Sequence, residues 1–419
     1  MSELNNELGI PNEVYQKDIL KSFKALGNNY RIHKLIEKLQ AGKETVYIAT
    51  IGGSVTEGGG AADWNDGYAY KFVEALTKKY AKDSSKVVYD NAALSGSSSA
   101  TALVRYENDV VKTLGHTPDL LTIEFAVNDY LEPTQGRGFE YMVRSALTAN
   151  ENAAVIAIHA AAAYGNQQHV TSPFAEYYNI PQVSILDAVN AEGSGFDTKE
   201  KSTYYTDNVH PTTPGHKFTV DCLMALVEKL YSAAEDKPFP VPAEWKSPKS
   251  FADYKTIYRG TPDSNVKIAE GGFSGKDDQS QQVFKKVKPF DNNWYYDGTN
   301  HQSFTMELDC KNLIIIYKDR SKPAEAEVNK SEAAVNGSTG NNSSTKNTAP
   351  VPFTFGQAEI YVDGNKSQTL NGCTGTGWGN CVPVMLIDET ECKHHKVEIK
   401  LAEGDENKGF SILGLGYSK

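Results

Sequence analysis

The fold class that this sequence predicts is an α/β domain with a parallel sheet covered on both faces, followed by an all-β sandwich. Three observations carry that reading. β-branched, apolar runs alternate with helix-length segments up to about residue 234, the pattern of strand–helix–strand units. A proline-rich stretch, Lys237-Pro238-Phe239-Pro240-Val241-Pro242, then interrupts the alternation. Beyond it, long helical periodicity gives way to strand-like runs separated by turn residues. With 419 residues the chain exceeds one typical core. We therefore expect a first domain over 1–236, a linker over 237–250 and a β-domain over 251–419.

Taken in order, the first domain opens with a helical segment from Glu13 to Leu39. A buried-strand run follows, Thr45 to Ile51. A helix from about Asp66 to Tyr80 leads to a second strand, Lys86 to Asn91. The segment Ser98 to Leu114 carries Leu103, Tyr106, Val110 and Leu114 at helical spacing. Strands then fall on Asp119 to Phe125, Ala153 to Ile158 and Gln182 to Leu186, and a last helix runs from about Pro214 to Ala234. In the β-domain the strand runs are Ser303–Leu308, Asn312–Lys318, Gln357–Val362, Lys396–Leu401 and Gly409–Leu415, with turns such as Asp363-Gly364-Asn365. Residues 321–349, poor in aromatics and rich in Ser, Asn, Ala, Lys and Glu, read as a disordered insertion.

The net charge of −11 argues against a nucleic-acid backbone or an anionic membrane as partner. No stretch approaches the ~20 apolar residues that span a bilayer. The amino terminus has neither a basic nor an apolar signal region, and the five cysteines read as reduced thiols, so a cytoplasmic location is expected.

Ile51-Gly52-Gly53-Ser54-Val55-Thr56-Glu57 places a serine where the first long strand breaks into a glycine-rich turn. Open α/β sheets bind ligands at that strand edge, so Ser54 is a candidate nucleophile. A nucleophilic serine needs a base, a group that orients the base, and donors for the oxyanion formed on attack. His210, in Thr206-Asp207-Asn208-Val209-His210-Pro211, is the candidate base, and Asp207, three residues upstream, can reach back to it. Gly96 and Asn128 end two further strands, so their loops are expected on the same edge of the sheet.

In that chain order the motifs resemble the SGNH, or GDSL-type, hydrolase family, whose four named residues match Ser54, Gly96, Asn128 and His210. Asp207 matches the family's acid. The resemblance covers roughly Thr45 to Ala234 and implies a flavodoxin-like three-layer domain that transfers an acyl group to water. It assigns Ser54, His210 and Asp207 as the catalytic residues and the Ser54 and Gly96 amides with the Asn128 side chain as the oxyanion hole. It requires no metal or organic cofactor. The sequence departs from the pattern twice, with Gly53 where an aspartate is usual and Ala126 where a glycine is usual.

An appended β-sandwich, jelly-roll-like, is similar to the module of carbohydrate esterases that remove acetyl groups from plant hemicellulose. The implied substrate is an acetylated manno- or xylo-oligosaccharide. Trp378 and Asn380, in a loop suited to a sugar ring, and Glu57, close to Ser54, are the candidate substrate-binding residues; a helix cap is the other reading of Glu57. Trp294 reads as core. Two alternatives stand beside this one: a general short-chain esterase or thioesterase whose β-domain makes a homo-oligomer, and a non-catalytic carbohydrate-binding protein. His216 reads as a surface or capping residue, Asp187 and Asp129 as structural. Cys373, Cys381, Cys392 and His394-His395 are spaced too widely for a zinc knuckle.

Overall fold

The computed structural model describes residues 8–196, 203–261, 263–278, 290–320, 355–374 and 379–419. It divides into two compact units that meet in sequence between Phe251 and Ala252.

The expected first helix is two: α1 (Asn12–Lys21) and α2 (Tyr30–Ala41), with a short strand β1 (Phe23–Ala25) between them. The break has a tertiary cause. The Asn29 carboxamide donates to the Leu230 and Ala234 carbonyls at 3.1 and 2.9 Å. Gly27, at φ +60°, lies so close to Ile180 that a Cβ would come within 2.5 Å of its carbonyl carbon. The sheet continues with β2 (Val46–Gly52), β3 (Val87–Asn91), β4 (Leu120–Glu124), β5 (Ala154–His159) and β6 (Gln182–Ser184). The run expected to extend to Leu186 stops at Ser184, whose side chain caps a short helix, α8 (Ile185–Val189).

The sheet order is β1-β6-β5-β4-β2-β3, parallel except where β1 pairs with β6. Without β1 this is the flavodoxin-like order, whose switch point falls between β2 and β4. Alternate residues of each strand point to opposite faces. Ile48, Leu120 and Ile156 join one core with α1, α2, α4 (Tyr68–Tyr80) and α9 (Thr213–Ser232). Ala49, Leu121 and Val155 join a second core with α5 (Ser99–Tyr106) and two helices not picked out by periodicity, α6 (Arg137–Ala149) and α7 (Gln168–Tyr177). In α7 a proline at position 173 and polar residues hide the helical period.

The segment 237–250 lies on this first unit. Arg31 donates to the Phe239 carbonyl at 3.0 Å, Arg144 to those of Pro242 and Ala243 at 2.6 and 2.9 Å, and Glu140 accepts the Lys246 amide at 2.6 Å. The Arg144 guanidinium also covers the Trp245 ring at 4.9 Å. Its backbone groups are thus held by side chains where a flexible linker would leave them to water.

The second unit is all-antiparallel. Its strands are β7 (Lys255–Ile257), β8 (Val266–Ala269), β9 (Trp294–Tyr296), β10 (Phe304–Asp319), β11 (Gln357–Val362), β12 (Asn365–Asn371), β13 (Asn380–Leu401) and β14 (Phe410–Ser418). Two expected strands, Ser303–Leu308 and Asn312–Lys318, are one long strand, β10, which pairs with β13 along its length with a shift in register between Cys310 and Asn312. Such irregularities bend a strand and increase its twist. Before the shift β10 pairs with β8, after it with β14, so one folded sheet encloses a core that holds Trp294, Phe304, Leu313 and Val397. The Asp363-Gly364 turn joins β11 to β12 with both residues at positive φ (52° and 80°), as a two-residue hairpin of right-handed twist needs. The insertion expected at 321–349 lies outside the described residues.

Candidate active site

β2 delivers Ser54 to the first position of a one-turn helix, α3 (Ser54–Glu57). The turn closes at Gly58 (φ +111°), where the amides of Gly58 and Gly59 bond the Ser54 carbonyl at 3.1 and 2.8 Å. A Cβ on Gly58 would meet Trp64 backbone at 2.6 Å, and one on Gly59 would meet the His210 ring at 2.7 Å. The glycine run therefore makes room for the imidazole.

His210 Nε2 lies 2.8 Å from Ser54 Oγ, and His210 Nδ1 lies 2.8 Å from Asp207 Oδ2. The other Asp207 oxygen accepts the amides of Val209 and His210, both at 2.7 Å. Burial opposes ionisation of Asp207, but the His210 ring and those two amides outweigh it and hold the carboxyl below the usual carboxylate range. With Asp207 as acceptor, Nδ1 carries the proton and Nε2 is left to accept from Ser54. The His210 side chain is 29% exposed and Asp207 55%, so solvent reaches the histidine and the acid that orients it.

Two more strand ends complete the edge. After β3, Asn91 and Leu94 tie the loop to the nucleophile turn through Asn91 Nδ2 to Thr56 O (2.9 Å) and Leu94 N to Gly52 O (3.0 Å). Gly96 turns there at φ +70°. After β4, Asp129 accepts the Ser99 amide at 2.8 Å and so locks the Asn128 loop to the start of α5. The Asn128 carboxamide rests on Gly53, where a Cβ would lie 2.2 Å from Asn128 Oδ1. Gly53 thus has a geometric reason: a larger residue would displace Asn128. Among the described residues, the Ser54 and Gly96 amides and the Asn128 side chain have no hydrogen-bond partner.

Glu57 corrects the sequence reading. It is fully buried and accepts the Ser95 amide and hydroxyl at 2.9 and 2.6 Å, so it anchors the Gly96 loop instead of facing substrate. His216 is also corrected: it is buried, accepts the Tyr68 amide at Nδ1 (3.2 Å) and donates from Nε2 to the Gly59 carbonyl (2.9 Å). Burial pushes its pKa down to about 4, which keeps the ring neutral. Beneath the edge, Glu124 accepts from Thr56 Oγ1 at 3.2 Å, and burial pushes its pKa up to about 7. Local motif spacing shows none of these three roles, because each partner is remote in sequence.

Asp187 accepts from Gln168 at 2.7 Å, a structural contact. In the second unit Asn380 opens β13, Trp294 is in the core, and Trp378 lies outside the described residues. His394 and His395 pair with Asp309 and Asp363, and among the described residues no His, Cys, Asp and Glu cluster could hold a metal. No helix among them is long and apolar enough to cross a membrane.

A serine bonded to a histidine at the switch point of a flavodoxin-ordered sheet, with free donors beside it, fits the chemistry of acyl transfer through a serine nucleophile. Residues 50–218 match the GDSL-like lipase/acylhydrolase family. The whole chain is similar to a two-domain esterase (CEX) active on acetylated mannans, with 23% identity and a TM-score of 0.72 over 96% of this chain and 99% of that one. The same esterase co-crystallised with mannopentaose matches equally, at 23% identity, TM-score 0.72 and the same 96% and 99% coverage. No curated protein matches the chain in sequence.

Proposed function

We propose that this protein is a serine esterase that removes O-acetyl groups from acetylated hemicellulose oligosaccharides, derived from mannan or xylan. The observation that carries the reaction is the Asp207–His210–Ser54 relay with 2.8 Å at each step. Ser54 Oγ attacks the ester carbonyl while His210 Nε2 takes its proton, and Asp207 stabilises the imidazolium. The tetrahedral oxyanion sits on the Ser54 and Gly96 amides and the Asn128 carboxamide. His210 then protonates the departing sugar alcohol. Water attacks the acetyl-enzyme by the same route, releasing acetate and restoring Ser54.

The substrate reading draws on the likeness in both units to an esterase active on acetylated mannans. It also draws on the site itself. The partly exposed His210 and exposed Asp207 side chains leave room for a bulky alcohol. The test is NMR-monitored deacetylation of a panel of acetylated manno- and xylo-oligosaccharides. We expect acetate release from at least one; cleavage of longer acyl esters with no acetate from any sugar would overturn the substrate reading.

A further inference from the structure

Two aromatic side chains stand open at the rim of this site. Tyr130 follows Asn128 by two residues and is 64% exposed; Tyr164 is 67% exposed. Both are large apolar rings that a folding chain has left in water. Their positions are built, not incidental. Tyr164 sits in the loop after β5, which is clamped on both sides of the active edge. On one side the Ala163 amide bonds the Asn208 carbonyl at 2.8 Å, within the loop that carries Asp207 and His210. On the other the Gln167 amide bonds the Ala126 carbonyl at 2.6 Å, within the loop that carries Asn128. Asn166 Nδ2 closes the loop on the Ala160 carbonyl at 2.7 Å. Burial first, and then the neighbouring Tyr130 and Asp207, raise the pKa of the Tyr164 phenol.

We propose that Tyr130 and Tyr164 form a stacking subsite for a neutral pyranose ring on the alcohol side of the scissile ester. The proposal rests on the esterase reading above and names the residues that would select its substrate. A pyranose presents a face of C–H bonds that packs on an aromatic ring, while its hydroxyls stay at the edge in water. The exposed Asn208 side chain, on the His210 loop to which the Tyr164 loop is clamped, offers an amide to such hydroxyls. A long acyl chain would need an enclosed apolar slot, which two exposed phenols do not supply. The ionised Asp207, 55% exposed, disfavours an acidic sugar at this rim.

The test compares kcat/KM for acetylated mannopentaose with kcat/KM for p-nitrophenyl acetate, whose alcohol carries no sugar. In Tyr130→Ala and Tyr164→Ala the ratio of the two should fall about fivefold each, mostly through KM, and more in the double variant. The Tyr→Phe pair should keep most of the ratio, since stacking needs the ring and not the hydroxyl. As a second measurement, tyrosine fluorescence of the Ser54→Ala protein should respond to unacetylated mannopentaose, and lose that response when both rings are removed. An unchanged ratio in the double alanine variant overturns the subsite, as does an equal loss on both esters or an equal loss in the Tyr→Phe pair. If the unsubstituted enzyme cleaves p-nitrophenyl acetate but no acetylated sugar, the substrate reading itself has failed and takes the subsite with it.

Discussion

The two units treat their polar groups in opposite ways. In the second unit, Lys318 and Asp277 are paired at 2.8 Å with side chains 0% and 4% exposed, and Ser411 donates to the same carboxylate at 2.7 Å. These charges are spent on holding a folded sheet together. At the carboxyl edge of the first unit's sheet, by contrast, the Ser54 and Gly96 amides and the Asn128 side chain remain unpaired and half-exposed among the described residues. A buried charge that is fully partnered is costly to strand. A half-exposed donor without a partner, held rigid by neighbours, is available to a transition state.

The largest effect that would test this contrast is on chemistry alone. Ser54→Ala should lower kcat by about 10⁴-fold or more while leaving thermal unfolding unchanged, since among the described residues Oγ bonds only His210. A comparable loss of stability would mean that Ser54 belongs to the scaffold. The converse substitution lies in the second unit. Asp277→Ala strands a buried lysine and should cost about 3–5 kcal/mol of that unit's stability in denaturant unfolding.

A smaller effect probes how the active edge is packed. Gly53→Ala should lower kcat/KM about tenfold by pushing Asn128 aside, yet add little to the loss in an Asn128→Ala background, as a double-mutant cycle would show. Additive losses would separate the two residues.

The smallest effect is in acid. Burial lowers the pKa of His159 and His216 to about 4, whereas an unfolded histidine titrates near 6.5. Between those values the unfolded chain binds more protons, so their contribution is lost as pH falls from 6.5 towards 4. Glu124, raised to about 7, has the opposite slope and loses stability as pH rises from about 4.5 to 7. His216→Gln, which can keep both hydrogen bonds, should flatten the acid limb by at most about 1.4 kcal/mol per pH unit. An unaltered slope in urea titrations at pH 4.5 to 6.5 would show that His216 does not contribute to it.

Much of the edge was legible in sequence because its signals are local. Four motifs each end a strand or open a helix, and their chain order alone relates Ser54, Gly96, Asn128 and His210. Glu57 misled for the same reason: nearness to Ser54 in sequence suggested the pocket, whereas its partner is Ser95 on the next strand's loop. His216 looked like a surface residue because helix periodicity cannot see the Gly59 carbonyl that it bonds. The clamp on 237–250 has no local cause, and at the interruption before α2 the breakers Gly27-Asn28-Asn29 act together with the remote partners of Asn29.

By itself, then, the sequence determined where chemistry could occur and where the chain changes from α/β to all-β. Buried parallel strands must be apolar runs, tight turns must carry small residues, and both are written within a few neighbouring positions. Only the tertiary structure decided what stands behind those positions. Glu57 under Ser95, His216 under Gly59, Asn128 over Gly53 and the shift of register in β10 all depend on groups that meet across long stretches of chain. Such contacts form only when packing brings remote segments together, and no local periodicity records them.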